Sequence, residues 1–139
     1  MFANPAYLLL VAALLASVPM VPARAAGSWV ADATTPTLRQ RGWRYDTRIL
    51  KPRASTPLVG RGITSVSWRY EFGNSGRPPR VALCAGRRCI EALTPTGRST
   101  AFAGLAPATP FRFVFILPGR GMLATPRRGG PLQLVVNFE

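Results

Sequence analysis

The chain has no histidine, one lysine and five acidic residues among its 139 positions. Without histidine, neither a Ser-His-Asp nor a Cys-His arrangement can form. Cysteine is almost as scarce, with Cys84 and Cys89 alone, whereas a structural zinc site wants four Cys or His ligands. No metal ligand is therefore assigned. The carboxylates Asp32, Asp46, Glu71, Glu91 and Glu139 fall in no recognisable motif. Asp32 and Asp46 could converge as a glycosidase pair, but with so few acids among so many arginines each reads more simply as an arginine partner at the surface. The glycine-rich pieces "PGRGML" and "RRGGP" lack the following helix on which a phosphate cradle depends. No catalytic residue and no cofactor follow from this inventory, and the chain reads as non-enzymatic.

A long hydrophobic run is missing too. The longest, "YLLLVAALLASV" near the N-terminus, is too short for a bilayer crossing, which needs about 20 residues. Pro19 and Pro22 follow it, then the small-x-small triplet Ala23-Arg24-Ala25. This order predicts a secretory signal over residues 1–25, cut between Ala25 and Ala26, and no stable membrane insertion of what remains. No Lys or Arg precedes the run, so the terminal amine alone supplies the usual positive start. No cysteine follows the triplet, so a lipid anchor is not indicated.

What the chain has in quantity is arginine. Loss of residues 1–25 leaves 114 residues, enough for one domain over 26–139, and removes Arg24. Seventeen basic residues then face five acidic ones, a net of +12. Such a balance suits nucleic acid, anionic lipid or an acidic partner. Arg, Ala, Gly and Pro, all abundant here, share GC-rich codons, which offers a compositional source for the bias. The aromatic-arginine interleaving in "WRY" and "FRF" resembles a stacking platform for single-stranded nucleic acid. In each run, however, the aromatics share one face and the arginine projects from the other, the pattern of core packing. Nucleic acid is not an expected partner.

Export changes the reading of "VALCAGRRCIEAL" (81–93). Its thiols are separated by four residues without following helical periodicity, unlike the C-x-x-C of a redox site. In an oxidising compartment an ordinary disulfide is expected. With "AGRR" as a four-residue hairpin loop, Cys84 faces Cys89, Leu83 faces Ile90, Ala82 faces Glu91 and Val81 faces Ala92. Alternation then puts Val81, Leu83, Ile90 and Ala92 on the apolar face, with the cysteines and Glu91 on the other.

Elsewhere the period is also two. "TSVSWRYEF" sets Val66, Trp68, Tyr70 and Phe72 against Ser65, Ser67, Arg69 and Glu71. "LQLVVNFE" directs Leu132, Leu134, Val136 and Phe138 one way. "FRFVFIL" is apolar on both faces, with Val114 and Ile116 opposite Phe111, Phe113, Phe115 and Leu117, which predicts a central or interface strand. "GSWVAD" reads as a strand, "TLRQRGWRYDTRIL" as one or two, and "KPRASTPLVGRG" as a loop. Turn clusters "GNSGRPP", "TPTGRS", "APATP", "PGRG" and "TPRRGG" separate these runs. The expectation is an all-β domain, a sandwich or partly closed barrel of about seven to nine short antiparallel strands. Arg87 and Arg88 at the hairpin tip and Arg127 and Arg128 in a later turn are candidate partner contacts.

In order along the chain, "GSWVAD", "TLRQRG", "VSWRYEF", the C-x4-C hairpin, "GRSTAFAGL", "PFRFVFILPGRG" and "LQLVVNFE" resemble the flagellar FlhE family. That resemblance implies a periplasmic β-sandwich associated with the flagellar type III export apparatus, an accessory or chaperone-like factor that limits proton leakage through it. The implied partner is a flagellar export or rod component. The family offers no catalytic motif to carry over. The alternative from another class is an exported cationic module binding envelope polyanions such as lipopolysaccharide.

Overall fold

The computed structural model describes residue 19, residues 26–73 and residues 76–139. Apart from Pro19, the expected signal segment, with Ala25, lies outside the described residues; Ala26 stands immediately ahead of the first strand. No helix of the described residues is long and apolar enough to cross a membrane.

Ten strands form among the described residues, more than the seven to nine expected: β1 (Gly27–Thr34), β2 (Leu38–Arg41), β3 (Arg44–Asp46), β4 (Ile63–Phe72), β5 (Arg80–Ala85), β6 (Arg88–Glu91), β7 (Thr96–Ser99), β8 (Arg112–Ile116), β9 (Gly121–Arg127) and β10 (Gly129–Phe138). They pair antiparallel in two four-stranded sheets, β1-β10-β4-β7 and β3-β8-β5-β6, with β2-β9 as a separate ribbon. The barrel alternative falls away, since neither sheet closes on itself. The extra strands come from segments expected to be turns. "TPTGRS" contains β7, and "TPRRGG" is broken only at Arg128, between β9 and β10.

The alternating residues face inward as their period requires. In the first sheet Val66, Trp68 and Tyr70 stand opposite Val136, Leu134 and Leu132, and all six are buried. In the second, Phe113 and Phe115 of β8 stand opposite Leu83 and Val81 of β5. The sheets meet through aromatic edges: Tyr70 and Phe115 have ring centroids 5.7 Å apart at 89°, and Phe72 and Phe115 5.2 Å apart at 68°. Such T-shaped pairs add stabilisation beyond burial, about 0.5–1.5 kcal/mol each. Phe102, from the connection after β7, closes one end of the core against Phe111 at 5.1 Å.

Polar groups inside are paired. The indole N–H of Trp29 donates to Pro107 O at 2.7 Å, and that of Trp68 to Thr94 O at 3.0 Å. Trp68 lies across β7 because position 97 is glycine: a Cβ there would sit 2.3 Å from the indole. Among the described residues no buried side-chain nitrogen or oxygen lacks a partner, as expected where an unpaired buried group costs about 1–3 kcal/mol.

Candidate interaction surface

The β5–β6 hairpin shows the expected register, Cys84 opposite Cys89, Leu83 opposite Ile90 and Ala82 opposite Glu91. Cys84 and Cys89 are bonded, with Cα atoms 4.0 Å apart. The loop is shorter than expected, however. Ala85 pairs with Arg88, so only Gly86 and Arg87 turn the chain. Gly86 has φ 59°, the positive value that a two-residue type II′ turn requires at its first central position. Closing so few residues contributes about 2 kcal/mol through the unfolded chain. Cys84 is also less open than a position on the solvent face implies, at 2% exposure, while Cys89 is exposed. The physical reason is that β5 lies between β6 and β8, with Arg112 opposite Cys84 and its guanidinium donating to Gly86 O at 3.2 Å.

The four arginines singled out from the sequence do not form one patch. Arg87 and Arg88 are exposed at the hairpin tip, where Arg88 reaches Ala101 O at 3.4 Å. Arg127 lies toward the other end of β5, roughly 20 Å away at the strand rise. Its guanidinium donates to Arg77 O and Gly73 O and rests 5.8 Å from the centroid of Phe72. Arg127 thus fastens the connection between β4 and β5. Arg128 is exposed.

The carboxylates are dispersed. Asp46 receives Arg44 at 2.7 Å and Arg112 at 3.5 Å, and Glu91 receives Arg80 at 3.0 Å. Asp32, on the other sheet, accepts from Gln133 Nε2 at 3.0 Å. The bond and charge of Asp46 raise the Arg44 guanidinium further above its already high ordinary value, so Arg44 remains charged. Asp32 and Asp46 therefore do not converge, and no cluster of three or more His, Cys, Asp or Glu occurs among the described residues.

Alternation puts a second feature on the outer face of the β3-β8-β5-β6 sheet. Val114 and Ile116 of β8 point away from the core beside Ala82, and Leu93, 70% exposed, lies just past β6. They line a shallow groove of about 260 Å³ together with the Arg80–Glu91 pair. The Arg44–Asp46–Arg112 group occupies the same outer face at its β3 side. An apolar strip with a charged rim has the layout of a protein-binding patch. The two-sided apolarity of "FRFVFIL" and the hairpin register that sets Ala82 opposite Glu91 were the sequence signals for this face; the contribution of Leu93 was missed, because an isolated apolar residue after a strand carries no pattern.

Comparison with known proteins supplies the remaining observation. The family model "Flagellar protein FlhE" matches residues 35–139. The chain belongs to the FlhE family. FlhE of Escherichia coli strain K12 is 35% identical over 121 residues, spanning 86% of this chain and 91% of its own. FlhE of Yersinia enterocolitica is 32% identical over 128 residues, 90% of this chain and 91% of its own. FlhE of Salmonella typhimurium is 34% identical over 120 residues, 86% and 90% respectively. A solved crystal structure of FlhE superposes with a TM-score of 0.73 at 34% identity, covering 82% of this chain and 97% of that one. The sandwich described above is thus the FlhE fold.

Proposed function

We propose that this protein is a periplasmic, non-enzymatic accessory factor of the flagellum that binds an export or rod component and limits proton entry through the type III export apparatus. Membership of the FlhE family supports the flagellar role; it is the observation that carries the reading. A disulfide-closed hairpin fits an oxidising compartment. Residues 1–25 are removed in this reading, and N-terminal sequencing of protein from the periplasmic fraction reads Ala26 first. A full-length cytoplasmic product would contradict it.

The outer face of the β3-β8-β5-β6 sheet is the proposed contact. Burial of its apolar strip supplies affinity in proportion to area, about 25 cal/mol per Å² before ordering costs, while the rim pairs select orientation. Leu93→Glu with Ile116→Gln places polar groups on that strip. We expect the double variant to keep its thermal melt and to lose complementation of a motility defect in a strain lacking the gene. Full complementation by a stably expressed variant would move the contact elsewhere.

A further inference from the structure

A second recess lies away from that face, where the end of β2, the turn between β8 and β9, the end of β9 and the β4–β5 connection meet. Its volume is about 490 Å³, within the range of roughly 300–1,000 Å³ typical of small-molecule sites, and Arg41, Arg77, Arg120 and Arg127 surround it above Leu117 and Leu123. No carboxylate lines it among the described residues. Nor do the guanidiniums of Arg41, Arg77 and Arg120 make a hydrogen bond or ion pair among those residues; the arginines paired with acids are Arg44, Arg80 and Arg112.

The recess is built on fixed backbone. Gly42 N donates to Leu117 O at 2.7 Å, tying the end of β2 to the turn after β8. Gly119, at φ 103°, runs so close to Arg41 that an added Cβ would sit 3.0 Å from its Cδ. Arg127 is oriented by its bonds to Arg77 O and Gly73 O. Four like charges around one concavity focus a positive potential there. Planar guanidiniums match phosphate oxygens bidentately, and a phosphate, with several oxygens and close to two charges, can engage more than one of them. A lone carboxylate offers less on both counts.

From this we infer that the recess is a binding site for phosphate-bearing anions, whether a free phosphate compound or the phosphate of a lipid headgroup. The site stands independently of the flagellar role. Titration of the purified protein with inorganic pyrophosphate, followed by calorimetry, tests it. Arg41→Gln with Arg120→Gln should weaken binding by about tenfold or more, since the charge-assisted hydrogen bonds of both guanidiniums to the anion are lost. Arg87→Gln with Arg88→Gln, the same loss of charge at the hairpin tip, should leave it within about twofold. Thermal melts of both variants confirm folding, and Arg120→Glu provides a single-site check. In a parallel arm, phosphatidylglycerol vesicles are sedimented with the protein beside phosphatidylcholine vesicles. Retention on phosphatidylglycerol that pyrophosphate displaces assigns the headgroup; pyrophosphate binding alone assigns a free phosphate compound. Equal weakening in the two double variants, or absence of saturable binding to both probes, would overturn the proposal.

Discussion

Tyr70 carries several of the interactions on which the sandwich rests. Its ring is buried on the core face of β4, edge-on to Phe113 and Phe115, and its hydroxyl donates to Ala92 O at 2.8 Å. Burial pushes its phenol above the ordinary value of 10.0. In the unfolded chain a tyrosine ionises near pH 10, so between that value and the higher folded one the native state holds the proton more tightly. The stabilisation is therefore complete below about pH 10 and is lost as pH rises above it. Tyr70→Phe should lower stability at neutral pH by about 1 kcal/mol through the lost hydrogen bond and flatten the alkaline decline. Denaturant melts from pH 8 to 11 check this, and parallel declines in both proteins would contradict it. The place of Tyr70 was legible from alternation in "VSWRYEF"; its bond to Ala92 was not, because period two gives a side chain's face and not the carbonyl across the core. Cys84 shows the same limit. Its partner followed from register, but its burial depends on β8 lying alongside, which no local pattern records.

At the level of elements, alternation revealed the strands that bury a face and passed over those that do not. β4, β5, β8 and β10 each carry an apolar stripe, and all four were legible. β7 has glycine at its inward position 97, beneath Trp68, so it shows no stripe and read as a turn. β2 falls within "TLRQRGWRYDTRIL", which reads as one or two strands, but its partner β9 is mostly exposed and includes Pro126, a residue that argues against a central strand. The pairing of Leu38 with Arg127 and Gln40 with Met122 comes from tertiary placement. The same ribbon separates the fates of two neighbouring arginines. Arg127→Ala should cost about 1–3 kcal/mol, since two charge-assisted bonds to the 73–77 backbone and the contact with Phe72 go with it. Arg128→Ala should fall within about 0.5 kcal/mol of the parent, as surface changes usually do. Urea melts of the two variants decide the matter; equal effects would mean that Arg127 does not fasten the connection.

For the whole molecule, the excess of arginine leaves the described surface with few internal ion pairs, and only Arg44, Arg80 and Arg112 reach a carboxylate within 4.0 Å among those residues. A cationic surface of this kind raises association rates with anionic partners. It is a weak barrier to protons by itself, because the field is screened within about 8 Å at physiological salt. Limiting a proton leak therefore calls for direct contact with the flagellar assembly, and sequence composition gave no means of choosing between that and a general envelope polyanion. The ordered segments from "GSWVAD" to "LQLVVNFE" favour the flagellar side through their resemblance to the FlhE family, and the match over residues 35–139 shows membership of that family. Cytoplasmic pH, followed with a ratiometric sensor in cells with and without the gene, tests the central claim most directly when repeated in a background lacking the export apparatus. We predict acidification on deletion when the apparatus is present and none when it is absent. Acidification that persists without the apparatus would contradict the flagellar mechanism.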